Sequence, residues 1–200
     1  MKVAIADYGA GNLRSLSSAL VCAGVDPLVT TDVKAVREAS LALIAGVGHV
    51  ESAAAGLARD GLDDALRARA AAGRPVAGIC VGMQLLFDAS EEGGRGLGLL
   101  EGPVRRIHAR RVPHMGWNAL TATRPSAILD GLDGADVYFA HSFAVSPTDD
   151  NVTTATVDHD GALVAAVESG PVAGVQFHPE RSAAAGARVL ENLVRWSRSA

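Results

Sequence analysis

The stretch Pro75-Val76-Ala77-Gly78-Ile79-Cys80-Val81-Gly82-Met83-Gln84-Leu85-Leu86 decides the fold, because its pattern predicts a buried strand that runs directly into a helix. Cys80 stands at the junction, between Gly78 and Gly82. This is the pattern of a nucleophile elbow with Cys in place of Ser, a strained turn whose close neighbours must be small. Backbone N–H groups and the helix dipole favour a thiolate at such a position. We therefore predict that Cys80 is a nucleophile and that the N–H of Val81 points toward an oxyanion.

The alternative interpretation of Cys80 is a buried structural cysteine, because free cysteines are commonly buried and short motifs match by chance. The other cysteine, Cys22, lies between Val21 and Ala23 at the end of a helical pattern and has no elbow around it. We assign Cys22 to packing. The motif alone leaves both interpretations of Cys80 open.

A cysteine nucleophile needs a base, and His178 is the candidate among six histidines. It follows the apolar run at 172–177, so it is expected at the carboxyl end of a strand, where open α/β sheets place their sites. Pro179 favours an extended conformation at His178, and residues two apart in an extended chain project to the same side. Glu180 is therefore expected to contact the imidazole and fix its tautomer. The alternative for His178 alone is a hydrogen-bonded histidine beside a turn.

Strand and helix patterns alternate through the first half of the chain and give way to short strands in the second. Strands are predicted at 3–6, 26–30, 41–45 and 75–79, and helices at 13–23, 33–38 and 57–72. The second half predicts a loop at 93–102, strands at 104–107, 119–123, 137–140, 152–157, 163–167 and 172–177, and a helix at 183–196. We expect an α/β fold of three layers, with a mostly parallel central sheet flanked by helices and an antiparallel hairpin region in the second half. One domain at 1–200 is the simplest account.

Composition excludes several classes of function. The chain has 200 residues, 48% of them hydrophobic and 20% charged, which is an ordinary globular composition. Its net charge of −4 argues against nucleic acid as a partner. We expect no signal peptide and no membrane span, because no apolar run approaches the roughly 18 residues that a membrane helix needs. Two cysteines are too few for a disulfide framework, which favours a reducing, cytoplasmic location.

The sequence predicts neither a cofactor nor a metal ion. Gly9-Ala10-Gly11 follows the first strand, but Arg14 stands where the dinucleotide-binding fingerprint needs its third glycine. The histidines are scattered and the cysteines lie far apart, unlike the ligands of a metal site.

Six motifs in order along the chain resemble the class I (triad) glutamine amidotransferases, whose signatures are G-x-C-x-G and a late H-P-E. They are Asp7-Tyr8-Gly9-Ala10-Gly11-Asn12-Leu13, Gly46-Val47-Gly48, Gly78-Ile79-Cys80-Val81-Gly82-Met83-Gln84, Val112-Pro113-His114-Met115-Gly116-Trp117-Asn118, Tyr138-Phe139-Ala140-His141-Ser142 and Gly174-Val175-Gln176-Phe177-His178-Pro179-Glu180. The first and fourth motifs are narrower than the triad signature. Through them the chain resembles the glutaminase subunits of imidazole glycerol phosphate synthases.

The resemblance implies that glutamine is hydrolysed to glutamate and ammonia through a thioester on Cys80. The partner would be a cyclase subunit with a (β/α)8-barrel fold, joined in a heterodimer. Ammonia would pass through the barrel and react with a phosphoribulosyl formimino-carboxamide ribotide. The products would be imidazole glycerol phosphate and an aminoimidazole carboxamide ribotide, in histidine synthesis.

The resemblance also assigns roles to individual residues. Cys80 would attack the amide, His178 would shuttle the proton, and Glu180 would orient His178. The remaining assignments concern substrate binding: an N–H of Val47 or Gly48 as second oxyanion donor, contact of Gln84 with the substrate, and main-chain contacts of His141 and Ser142 with the glutamine α-groups.

Three positions depart from the family's usual residues. Ala45 replaces a proline that would fix φ, so we expect a more mobile 46–48 loop and an isolated chain that is a poor glutaminase. Val81 replaces leucine, and both contribute the same backbone N–H. Arg181 replaces lysine, which keeps the charge with different geometry.

Two further segments are open to more than one interpretation. The segment with His114, Met115 and Trp117, predicted to lie between strands, is either a packed turn with Trp117 in the core or a partner surface. The basic run at 105–111 is most simply a solvated hairpin face. The alternatives are contact with a charge-complementary partner, with nucleic acid or with a phosphate-bearing ligand.

Two other functions are alternatives. One is the glutaminase subunit of another synthase, such as pyridoxal phosphate synthase, a family that shares the elbow and triad but lacks the fourth motif. The other is a catalytically silent regulatory module on the same fold, against which the intact Cys80, His178 and Glu180 argue.

Overall fold

The computed structural model of the protein describes residues 1–9, 11 and 13–199. Ala10 and Asn12 of the N-terminal motif, and Ala200 at the end of the predicted domain, lie outside these residues. The helices are α1 Leu13–Cys22, α2 Val33–Glu38, α3 Val50–Arg59, α4 Leu62–Ala71, α5 Val81–Gln84 and α6 Ala183–Trp196. The strands are β1 Lys2–Ala6, β2 Asp26–Thr30, β3 Leu41–Gly46, β4 Val76–Cys80, β5 Ala89–Ser90, β6 Pro103–Arg106, β7 His114–Ala119, β8 Thr121–Ala122, β9 Asp136–His141, β10 Phe143–Val145, β11 Thr153–Asp158, β12 Ala162–Ser169 and β13 Val172–Val175.

Most of the strands form one eight-stranded sheet in the order β2-β1-β3-β4-β13-β12-β11-β8. The pairings from β2 to β13 are parallel, and those from β13 to β8 are antiparallel. Two small sheets, β10-β6-β5 and β7-β9, lie apart from it. The predicted α/β fold is confirmed, with its parallel centre, flanking helices and hairpins in the second half. None of the helices in the described part of the chain is long and apolar enough to cross a membrane.

The register of the central strands brings their carboxyl ends together. In the parallel pairing Gly46 lies opposite Cys80, and Val175 lies opposite Ile79. The strands β3, β4 and β13 are buried along their whole length. They are near-continuous apolar runs because helices cover both faces of a parallel sheet. The edge at which β4 ends therefore gathers the segments that follow all three strands.

The helix predicted at 57–72 is wrong in its start and its continuity. The structure has α3 from Val50 and a separate α4 from Leu62. The chain turns at Gly61, whose φ of +71° is left-handed and suits glycine. The apolar positions before residue 57 are mostly alanines and a glycine, so the sequence signal for the helix start is weak.

Two further expectations are wrong. The segment at 114–117 is the beginning of β7, paired antiparallel with β9, rather than a connection between strands. Its exposed residues alternate with one buried and two half-buried residues, and Trp117 is on the exposed side rather than in a core. Cys22 is exposed at the end of α1, so packing does not explain it.

Candidate active site

Cys80 lies at a strained turn between β4 and α5, as the elbow motif predicts. Its φ of 55° and ψ of −113° are unusual for any residue other than glycine. A Cβ on Gly82 would lie 1.8 Å from the carbonyl oxygen of Ile44, and one on Gly78 would lie 2.3 Å from the carbonyl oxygen of Gly82. Both flanking glycines are therefore required by contact with backbone. The following helix is a single turn of four residues, so its dipole contributes less than a full helix would.

Glu180 binds the imidazole of His178, with 2.9 Å between Oε1 and Nδ1. The expected pair is present, but the route differs from the expectation. His178 is extended, whereas Pro179–Arg181 forms a turn of 3-10 helix that brings the carboxylate back to the ring. Because Nδ1 contacts Glu180, Nε2 is the ring nitrogen left for the nucleophile.

The partners of His178 favour the protonated form of its ring. Burial lowers its pKa, but hydrogen bonds to Cys80 and Glu180, and the negative charges of both, raise the pKa to about 10. An imidazolium held next to a thiolate is the resting form that cysteine hydrolases use.

The backbone around His178 is fixed by β9. The N–H of His178 donates to the carbonyl of Tyr138 at 2.9 Å. The hydroxyl of Ser182 donates to the carbonyl of His178 at 2.7 Å and accepts from the N–H of Tyr138 at 2.9 Å. These bonds hold the base in place independently of its side-chain contacts.

A cavity of about 310 Å³ opens beside Cys80, at the small end of the range for ligand pockets. It brings together all six residues assigned to substrate binding. Its lining is Val47, Gly48, His49, Cys80, Val81, Gln84, Glu92, Pro113, Met115, Ala140, His141, Ser142 and Phe143. His178 and Glu180 line a separate cavity of about 10 Å³, which has room for about one water molecule.

Gln84 is more constrained than its sequence position suggests. Its Nε2 donates at 3.0 Å to both the carbonyl of Phe143 and Oε1 of Gln176. Both amide hydrogens are thereby used, so Gln84 can offer a substrate only its oxygen.

His141 lines the pocket, but its ring is buried behind the wall. Its Nδ1 lies 2.8 Å from the carbonyl of Phe143, and its Nε2 lies 2.9 Å from Nδ1 of His114. Burial, the largest cause, lowers the pKa of His141 to about 3. The ring is therefore neutral. Contact of the main chain at 141–142 with a substrate stays a prediction.

Glu92 is a pocket residue that the motifs did not reveal. Its side chain is 11% exposed, and Oε1 lies 2.7 Å from Nδ1 of His49. Its Oε2 accepts from the N–H of Val50 at 2.9 Å, which holds the start of α3. Glu92 comes from a loop distant in sequence, so no local pattern could have placed it here.

Tyr8, from the first motif, does not line this cavity but is affected by the charge of Cys80. Its phenol is buried, and its oxygen has no hydrogen-bond partner within the described residues. Burial and then the charge of Cys80 raise the pKa of Tyr8 well above its usual range. A Cβ at Gly56 would lie 2.4 Å from the carbonyl oxygen of Tyr8, so α3 packs directly on this segment.

The site can be compared with those of known proteins. A family model described as glutamine amidotransferase class-I matches residues 4–196. The chain belongs to this family. This class I glutamine amidotransferase is 46% identical over 200 residues to imidazole glycerol phosphate synthase subunit HisH of Xanthomonas euvesicatoria, covering 98% of both chains. It is 43% identical over 195 residues to the protein of that name from Moorella thermoacetica, covering 96% of this chain and 93% of the relative.

Solved structures agree with the amidotransferase fold. One described as a glutamine amidotransferase superposes with a TM-score of 0.81 at 20% identity, covering 98% of both chains. A structure of PurLQS from Thermotoga maritima gives a TM-score of 0.73 at 21% identity, with the same coverage. At these identities the likeness concerns the fold alone.

Proposed function

We propose that this class I glutamine amidotransferase is the glutaminase subunit of an imidazole glycerol phosphate synthase, with a single catalytic domain at 1–200. One observation carries the proposal: the pair His178–Glu180 meets Cys80 at an elbow that opens into a pocket of about 310 Å³. The near full-length similarity to proteins named HisH supports the choice of synthase.

The chemistry begins with the sulfur of Cys80. The thiolate attacks the side-chain amide carbon of glutamine, and an S–C bond forms as the carbonyl oxygen takes up negative charge. The imidazolium of His178 then gives its proton to the amide nitrogen, and ammonia leaves as the C–N bond breaks. Water, deprotonated by His178, then attacks the thioester carbon. The C–S bond breaks, which releases glutamate and restores the thiolate of Cys80 beside the imidazolium. Glu180 keeps the ring oriented throughout.

The pocket wall would bind the rest of the substrate. The N–H of Val81 and the N–H of Val47 or Gly48 would donate hydrogen bonds to the oxyanion. The negative charge of Glu92 matches the α-ammonium group, and the main chain at 141–142 would contact the α-groups of glutamine. Gln84 would accept from the substrate through its oxygen, because its nitrogen is already bonded twice.

An exposed surface beside the pocket suits the cyclase partner. The side chains of Met115 and Trp117 are 64% and 55% exposed, and aromatic and Met side chains are enriched at interfaces. Trp117 lies edge-on to Tyr138 at 6.1 Å, and the guanidinium of Arg181 lies 4.5 Å from the Tyr138 ring centre. We propose that this surface binds a (β/α)8-barrel cyclase in a cytoplasmic heterodimer. Trp117→Ala should raise the Kd by about 30-fold or more.

The defining experiment measures both half-reactions in the reconstituted complex. Cys80→Ala should abolish glutamine hydrolysis and leave ammonia-dependent formation of imidazole glycerol phosphate intact. Glutaminase activity that persists in Cys80→Ala would refute the mechanism. Failure to form imidazole glycerol phosphate with any cognate cyclase would refute the choice of synthase, and formation of pyridoxal phosphate with another partner would replace it.

We also propose that the partner activates this subunit. The oxyanion segment ends at Gly48, whose φ is +114°, and Val47 is half exposed. Such a segment can complete the oxyanion hole when the complex forms, which would couple the two sites. Glutamine turnover should rise when cyclase and its nucleotide substrate are added, and equal turnover in both forms would contradict this proposal.

A further inference from the structure

A continuous chain of hydrogen bonds runs from the outer strand β7 to the nucleophile. We propose that His114 and His141 are positioning residues, each held as the neutral Nδ1–H tautomer, through which β7 fixes the wall of the glutamine pocket and the environment of Cys80. The inference rests on the proposed function only in taking the pocket to bind glutamine.

The register between β7 and β9 determines the outer end of this chain of hydrogen bonds. His114 of β7 lies directly opposite His141 of β9, and both rings are buried. The ring of His114 is stacked between Phe139 and His159, with centroids 4.5 and 4.2 Å away. Stacking on both faces leaves only the ring edges of His114 for hydrogen bonds, so its two nitrogens must point along the chain.

The partners determine where each proton sits. The carbonyl of Phe143 can only accept, so Nδ1 of His141 carries the hydrogen in the 2.8 Å bond. In the neutral ring Nε2 of His141 is then an acceptor, so Nδ1 of His114 donates across 2.9 Å. Nε2 of His114 becomes an acceptor in turn, and Nδ2 of Asn118 lies 3.3 Å from it. The same Nδ2 donates to the carbonyl of Asp158 at 2.9 Å, which anchors this end to β11.

The inner half of the chain continues from the same carbonyl. Phe143 accepts a second bond from Nε2 of Gln84 at 3.0 Å. The other hydrogen of that nitrogen goes to Oε1 of Gln176, also at 3.0 Å. The Nε2 of Gln176 lies 3.7 Å from Sγ of Cys80 and donates to it. Each donor atom from Asn118 to Gln176 therefore has at least one acceptor, and the last acceptor is the nucleophile.

The chain of hydrogen bonds does more than satisfy polar groups in the core. The carbonyl of Phe143 accepts two hydrogen bonds, which fix the pocket wall beside Ser142. Because the amide nitrogen of Gln84 is used in this way, only the oxygen of Gln84 is left for a ligand in the pocket. Buried polar groups that are fully paired specify one arrangement, whereas removing one partner leaves a costly unpaired group. Within the described residues no group of three or more His, Cys, Asp or Glu side chains could hold a metal ion.

The proposal can be tested directly by measuring the histidine tautomers in the wild-type protein. Neutral histidine in water prefers the Nε2–H form, so two buried Nδ1–H rings are a distinctive result. Nitrogen-15 NMR at pH 8, with signals assigned through single His→Asn variants, should show His114 and His141 protonated at Nδ1 alone. A proton on Nε2 of either neutral ring would overturn the proposal.

A matched pair of variants tests positioning in the complex with cyclase. The amide nitrogen of Asn can replace Nδ1 of a histidine as donor, whereas Leu cannot. His114→Leu should lower kcat/KM for glutamine by about 5- to 100-fold, mostly through KM. His114→Asn should stay within about threefold of the wild type. His159→Leu is the control, because Leu still covers this face of the His114 ring and no hydrogen bond of the chain is lost.

Equal losses in the Leu and Asn variants, or an equal loss in His159→Leu, would overturn the positioning role. If the wild-type complex hydrolyses no glutamine, the proposed function fails while the NMR result still decides the tautomers. If His114→Leu does not fold, the NMR result and the Asn variant decide.

Discussion

His178 and the pair His114–His141 are equally buried histidines with opposite electrostatics. The three residues are 4%, 3% and 6% exposed, respectively. Yet the pKa of His178 is raised to about 10, and those of His114 and His141 are lowered to about 4 and 3. Since burial is alike, the partners make the difference.

The partners are charged in one cluster and neutral in the other. His178 lies between the carboxylate of Glu180 and the sulfur of Cys80, and hydrogen bonds to both favour its protonated form. His141 lies between a carbonyl and another histidine, so burial prevails and the neutral form persists. One cluster can therefore move a proton, whereas the other can only hold one at a fixed atom.

The largest expected effect comes from removing the charge that distinguishes His178. Glu180→Gln keeps a group of the same shape but lets the ring choose the wrong tautomer. We expect glutamine hydrolysis in the complex to fall by about 10²- to 10⁴-fold, with ammonia-dependent synthesis retained. Activity within a few-fold of the wild type would show that the carboxylate is not what orients the base.

A second expectation concerns stability on the acid side. The folded pKa values of His114 and His141 lie below the ordinary value of 6.5. Between these values the unfolded chain binds protons that the folded chain does not, so stability is complete above pH 6.5 and falls as the pH drops toward 4 and 3. Chemical denaturation across this range should show the loss, and His114→Asn should reduce it.

For His178 we expect the opposite pH dependence, a loss of stability as the pH rises. Its folded pKa lies above 6.5, so its contribution is complete below pH 6.5 and is lost as the pH rises toward 10. Cys80→Ala removes one of the partners that raise this pKa and should flatten the alkaline loss while leaving the acid loss unchanged. If His114→Asn and Cys80→Ala each changed the acid and the alkaline loss of stability by the same amount, the two histidine clusters would not be independent.

The smallest expected effect belongs to His159, which lies at the margin of the neutral cluster. Its charge lowers the pKa of His114, after burial as the main cause. His159→Ala should change the free energy of unfolding at pH 8 by no more than about 1 kcal/mol, because the side chain is only partly buried. A titration of His114 by NMR should show its pKa rising slightly, and a further fall would contradict the assigned cause.

The charged cluster could be predicted from the sequence because its signals are local. The glycines around Cys80 and the triplet at 178–180 each describe a turn of a few residues, and parallel strands place both at one edge of a sheet. The 3-10 turn that brings Glu180 back to the ring could not be predicted. Proline restricts the residue before it but leaves the conformation of the residues after it open.

The neutral cluster could not be predicted because it depends on strand register. His141 is predicted as a pocket residue, but nothing local joins it to His114, which lies 27 positions away. The sequence gives little signal for β7, since its alternation includes a glycine and an exposed tryptophan. The same holds for Glu92, because it reaches the pocket from a segment with no motif.

Arg69 gives the chain a weak point far from the pocket. It is 2% exposed, and its Nη1 donates to the carbonyls of Val36, Arg37 and Ala39 at 2.8–2.9 Å. Its Nη2 donates to Pro75 at 2.9 Å, directly before the strand that carries the nucleophile. A lysine could satisfy fewer of these carbonyls. Arg69→Lys is therefore a candidate temperature-sensitive allele: an enzyme with an intact active site at low temperature, lost by unfolding when the culture is warmed.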